Sequence, residues 1–109
     1  MIYLGNAFSF NMLPSTGVSL QVDSLSAEQV RDIITGSQGY VSCVGHESTA
    51  AVFSEQLGLQ VEMSRISVSL QVWDAILVGQ YIGPRLPEGA TSLPPGAEIR
   101  WVRAMVRHA

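Results

Sequence analysis

His46 stands between Gly45 and a run of helical periodicity, in the stretch GHESTAAVFSEQLG. The first turn of a helix leaves backbone N–H groups unpaired at the positive end of the helix dipole, so it attracts anions. A glycine just before it lets a ligand come close to the backbone. A histidine there can donate a proton to a leaving oxygen; it can equally do no more than begin the helix. A second group follows in GPRLPEG, where Arg85 and Glu88 lie among Pro84, Pro87 and Gly89. Proline stiffens such a loop and lowers the entropy cost of placing its charges. Arg85 suits a phosphate, because its fork pairs two oxygens at once. Glu88 can accept a hydroxyl proton or orient a sugar, although a solvated surface turn accounts for both residues as well. A third group opens the chain: in NAFSFNML, Asn6, Ser9 and Asn11 alternate with apolar residues. One such residue would be turn chemistry, whereas three in six positions suit the lining of a polar cavity. Arg65 is an anion contact or a solvated arginine. Gln80 reads a base edge or satisfies backbone.

HESTA has the start of the zinc-protease pattern H-E-x-x-H, but Ala50 stands where the second histidine belongs. His108 lies in the tail and Cys43 has no partner at ligand spacing, so no metal site is expected. What remains is amides, hydroxyls, one histidine, a few arginines and one carboxylate. That set suits metal-free cleavage of a phosphodiester beside a 2′-hydroxyl. The reaction needs the 2′-oxygen in line with the scissile bond, an acid for the 5′-oxygen and charge stabilisation at phosphorus.

The bulk properties narrow the ligand. A chain of 109 residues is one domain, with 47% apolar residues for a core and only 14% charged residues, a balance that favours burying some surface in an oligomer. The net charge is −3 and all six basic residues are arginine. No broad basic stripe is available for long nucleic acid, whereas a small anionic ligand needs only a few precise contacts. Cys43 is the sole cysteine, which excludes an intrachain disulfide and fits a reducing compartment. The opening residues lack the pattern of a signal peptide, and the longest apolar run, Ala75 to Val78, is too short for a bilayer. A cytoplasmic protein with no membrane partner is the expectation.

These residues need a frame. Ile2 to Phe8 reads as a strand, and VSLQV at 18–22 alternates cleanly. SAEQVRDIITG is a helix with Ser26 as cap, Gln29 completing a capping box and Gly36 as its end. YVSCV is a third strand. The second helix puts Ala50, Phe53 and Leu57 on one stripe and stops at Gly58. RISVSLQV, with Ile66, Val68, Leu70 and Val72 on one side, reads as the clearest strand. Its polar side, with Arg65, Ser67, Ser69 and Gln71, implies a partly open sheet face. AILVGQY is a central strand, residues 82–97 a long binding loop or lid, and EIRWVRAMV the last strand. The sum is an α/β domain over 1–109 with about five to six strands and two helices.

Three segments in this order carry a resemblance: YLGNAFSFNML, SCVGHESTA, and GQYIGPRLPEG followed by IRWVR. Over nearly its whole length the chain resembles the viral anti-CRISPR ring nucleases that act against type III systems. The resemblance implies a homodimer of mixed sheets with flanking helices. It implies binding of cyclic tetra-adenylate and its cleavage, without metal or cofactor, to linear products ending in a 2′,3′-cyclic phosphate. His46 falls on the family's general acid, Arg85 and Glu88 on its loop residues, and Ser9 and Asn11 on ligand contacts. Arg65 matches a strand arginine of the family less closely. Asn6, Gly45 and Gln80 join the ligand contacts on position and chemistry. The resemblance places Phe8, Phe10 and Met12 in the core or the dimer interface. Trp73 departs from the pattern, which favours a smaller residue before Asp74; it alters either the cavity or the surface. A protein that holds the ring without cutting it is the alternative, and it would need no acid at position 46. A structural protein on the same fold would bind no nucleotide at all.

Overall fold

Five strands form one mixed sheet in the computed structural model, which describes residues 1–109. The elements are β1 (Ile2–Gly5), a 3-10 turn (Phe10–Met12), β2 (Val18–Leu25), α1 (Ala27–Gly36), β3 (Val41–Ser42), α2 (Glu47–Leu57), β4 (Ala75–Ile82) and β5 (Glu98–His108). The strand order is β2-β5-β4-β1-β3. β1 runs parallel to both β3 and β4, while β5 pairs antiparallel with β4 and β2. The carboxyl ends of β1, β3 and β4 therefore lie along one edge, where open α/β sheets place their ligands. The chain leaves that edge into the segments that hold Asn6, His46 and the loop after β4.

Local signals set both helices. Ser26 accepts from the Gln29 backbone N–H at 3.1 Å, and the Gln29 side chain accepts from the Ser26 N–H at 2.8 Å, so the box closes at the start of α1. α2 ends at Gly58, whose φ of 65° is left-handed. Ala50, Phe53 and Leu57 are buried, as the stripe requires. They join Leu4, Val30, Ile34, Val44, Val61, Leu77 and Trp101 in the larger core, between the helices and the sheet. Gly79 leaves a notch in β4: a Cβ there would lie 2.5 Å from Phe53 and 2.6 Å from Trp101. The two rings fill the notch with centroids 4.8 Å apart.

Four expectations are corrected. The segment RISVSLQV is not a strand: residues 64–70 lie outside the sheet. Its alternation has a different cause. Leu70 is fully buried, and Val68 and Val72 pack beside it against Ile76, Val78, Ala104 and Val106 on the second face of the sheet. The segment covers that face, anchored by the Leu70 N–H on the Met12 carbonyl at 2.7 Å. The second face is accordingly a core in its own right and not a polar, partly open surface. Phe8, Met12 and Leu13 close it from the other side, while Phe10 stays 78% exposed. The first strand is also shorter than expected, ending at Gly5, and YVSCV contributes only Val41–Ser42 to the sheet.

Candidate functional site

His46 is the N-cap of α2, with extended backbone (φ −138°, ψ 138°) and no hydrogen bond from its side chain to the helix. Its carbonyl accepts the Ala50 N–H at 3.0 Å and starts the helical ladder. The imidazole is exposed and free to meet a ligand. Arg65 lies beside it, its Nε donating to the Gly45 carbonyl at 2.9 Å. From the other side the Asn6 Oδ1 accepts the Gly45 N–H at 3.2 Å.

The loop after β4 closes over this region. The Tyr81 hydroxyl donates to the Pro84 carbonyl at 2.6 Å, and the Ala90 N–H donates to Pro87 at 3.1 Å, which shapes the turn carrying Glu88. The Gly89 N–H then donates to the Ser48 Oγ at 2.9 Å and ties the loop to the first turn of α2. Between helix and loop lies a cavity of about 920 Å³ whose lining includes His46, Ser48, Arg65, Arg85 and Glu88. That volume is at the upper end of the ~300–1,000 Å³ range of ligand pockets. Two guanidiniums and one imidazole face two carboxylates, Glu47 and Glu88, so the cavity mixes anion-binding groups with a proton acceptor.

Four candidates, His46, Arg65, Arg85 and Glu88, thus meet in one cavity although they come from three separate segments. Gly45 adjoins it through His46. Asn6 is engaged with Gly45 just behind it. Ser9 caps the 3-10 turn by accepting the Asn11 N–H at 3.2 Å, and neither residue lines the cavity. Gln80 is exposed on β4, opposite Arg100, and is also outside the lining. Ser48 was missed by sequence reasoning; its place in the first turn after His46 was the available signal. Trp73 is 55% exposed at the start of β4, away from the cavity, with the Arg107 guanidinium 5.1 Å above its ring. It occupies the third position of the turn Gln71–Asp74 with φ 74°, a conformation that favours glycine or asparagine. The tryptophan therefore lies on the surface and does not line this cavity.

Cys43 is a free, partly buried cysteine. Burial pushes its thiol above the usual range, and the Sγ lies 3.4 Å from the Leu4 carbonyl. No three His, Cys, Asp or Glu side chains stand close enough together to hold a metal ion. No helix is long and apolar enough to cross a membrane.

A Cβ built on Gly45 meets nothing within 4 Å. Gly45→Ala is therefore expected to leave the unfolding midpoint unchanged, and to weaken binding of any ligand that approaches the backbone beside His46. Equal affinity in titrations of parent and variant would remove Gly45 from the site.

The fold and cavity define a one-domain α/β protein with a mixed sheet and a polar pocket at the carboxyl edge of its parallel strands. The chain belongs to the STIV B116-like family, whose model matches residues 2–100. It is similar to uncharacterized protein 26 of Sulfolobus islandicus filamentous virus, with 26% identity over 89 residues, covering 82% of this chain and 74% of that protein. Its structure is similar to that of B116 of Sulfolobus turreted icosahedral virus, with a TM-score of 0.80 and 25% identity over 95% of this chain and 97% of the other. These relatives are proteins of archaeal viruses, and this chain is of the same viral family.

Proposed function

We propose that the protein is a metal-independent ring nuclease that cleaves cyclic tetra-adenylate and so suppresses type III CRISPR signalling. The observation that carries the reading is the single cavity that collects His46, Arg65, Arg85 and Glu88 at an uncapped helix start. The nucleophile belongs to the substrate: a ribose 2′-oxygen attacks the adjacent phosphorus, the bond to the 5′-oxygen breaks, and a 2′,3′-cyclic phosphate forms. His46 supplies the proton to the departing 5′-oxygen. Arg85, the free end of Arg65 and the first-turn N–H groups of α2 bind the charge that grows on the phosphoryl oxygens. Glu88 accepts the 2′-hydroxyl proton or holds the ribose so that the oxygen lies in line. The loop at 83–97 excludes water from the reacting bond. A homodimer would set two such cavities about one two-fold axis, a symmetry that a ring of four identical nucleotides can share.

The test is incubation of the purified protein with cyclic tetra-adenylate in EDTA, followed by chromatographic separation of the products. Linear fragments ending in cyclic phosphate are expected. An intact ring that co-elutes with the protein would overturn cleavage in favour of a holding role, and an intact ring that does not co-elute would overturn both.

A further inference from the structure

We infer that Asn6 and Arg65 act on the reaction as positioning residues, through a clamp that fixes the two peptide planes on either side of Gly45. The inference rests on the ring-nuclease reading; it gives Asn6 a role other than the ligand contact expected from its position and chemistry, and it adds a second role to Arg65. The plane between Val44 and Gly45 is held at both ends: the Val44 carbonyl accepts the Ser64 N–H at 2.8 Å, and the Gly45 N–H donates to Asn6 at 3.2 Å. The plane between Gly45 and His46 is held by the Arg65 Nε on the Gly45 carbonyl at 2.9 Å. With both planes fixed, the torsions of Gly45 are fixed too, although this residue has no Cβ to restrict them. His46 and the first turn of α2 follow directly.

Both side chains extend a ladder that the backbone abandons. On one side β1 pairs with β3 up to the Cys43 N–H on the Leu4 carbonyl at 2.8 Å, and the Asn6 amide makes the next link. On the other side Val44 bridges Met63, Ser64 donates to Val44, and the Arg65 side chain takes over at Gly45. A side chain can make that last link while the main chain turns away, and the departure opens the cavity in front of His46. Arg65 spends only its Nε on the clamp, so its two terminal nitrogens remain for the phosphate.

Positioning of this kind shows in the rate more than in affinity, since a misplacement of about 1 Å can cost about 10²-fold. Asn6→Leu, which keeps the size and loses the acceptor, is expected to lower the rate at saturating cyclic tetra-adenylate by about 10–10²-fold, with the dissociation constant within about threefold of the parent. Asn6→Asp keeps an acceptor oxygen and is expected to retain the saturating rate. Amide hydrogen exchange gives a readout independent of cleavage: the Gly45 N–H should exchange faster in Asn6→Leu, while Leu77 in β4 stays protected and shows that the fold is intact. A weaker dissociation constant with an unchanged saturating rate would make Asn6 a ligand contact and overturn the proposal. Unchanged Gly45 exchange would overturn the clamp itself. A parent protein that leaves the ring intact would overturn the reading of function and with it the catalytic meaning of the clamp. Faster Gly45 exchange in the variant would then still show the clamp as a feature of the fold.

Discussion

His46→Ala is expected to slow cleavage of cyclic tetra-adenylate by about 10²–10⁴-fold, the usual contribution of a general acid, while affinity for the uncut ring stays near that of the parent. The structure makes this variant clean. The His46 side chain makes no cap bond to α2, so its removal takes no hydrogen bond from the helix. The contrast with Ser26, which caps α1 in both directions, is informative. A position selected for helix stability would carry serine, threonine, aspartate or asparagine. His46→Asn should therefore stabilise the fold by about 1 kcal/mol, through a new acceptor for the free N–H groups, and be as inactive as His46→Ala. Single-turnover assays with the ring in excess of its dissociation constant, beside urea unfolding curves, read both effects. Cleavage by His46→Ala at the parental rate would remove the imidazole from the mechanism.

Phe53→Ala is expected to destabilise the protein by about 3–5 kcal/mol, measured by urea unfolding followed by far-ultraviolet circular dichroism. Phe53 is fully buried and its ring fills the notch over Gly79 against Trp101. The notch is lined by backbone and by a large ring, and neither can collapse into the space a lost phenyl leaves. A typical domain has only about 5–15 kcal/mol in total, so the variant should be marginal at room temperature. A loss below about 1 kcal/mol would mean that α2 repacks freely on the sheet. The consequence reaches the site, because Phe53 anchors the helix whose first turn carries His46 and Ser48.

Much of this frame was legible in the residues. The capping box at Ser26 and Gln29, the stripe Ala50, Phe53 and Leu57, and the stop at Gly58 are local signals, and the helices follow them. RISVSLQV reads as a strand and is not one, because alternation reports one-sided burial and is silent about hydrogen-bonded neighbours. Val68, Leu70 and Val72 bury their side chains on the sheet without joining it. Within the cavity, His46, Arg85 and Glu88 stand out by residue type and by their glycine and proline neighbours, whereas Arg65 has plain flanks between Ser64 and Ile66. Ser48 does not stand out, since a serine in a first helical turn has many ordinary uses. The partner of Asn6 was invisible for a different reason: it is a backbone amide far along the chain, and no local pattern marks it.

The contacts that build the cavity join residues 39 apart for Asn6 and Gly45, 20 apart for Arg65 and Gly45, and 41 apart for Gly89 and Ser48. Each closes a long loop of chain, and closure of that kind is opposed by entropy until the sheet has brought the segments together. A pocket made from one strand, its turn and the following helix is available to a short stretch of sequence; this one is a property of the finished fold. Peptides spanning 45–58 or 82–97 carry His46, or Arg85 and Glu88, and neither alone contains the cavity. The cavity comes into being with the folding transition, so a partly synthesised or partly unfolded chain does not yet have it.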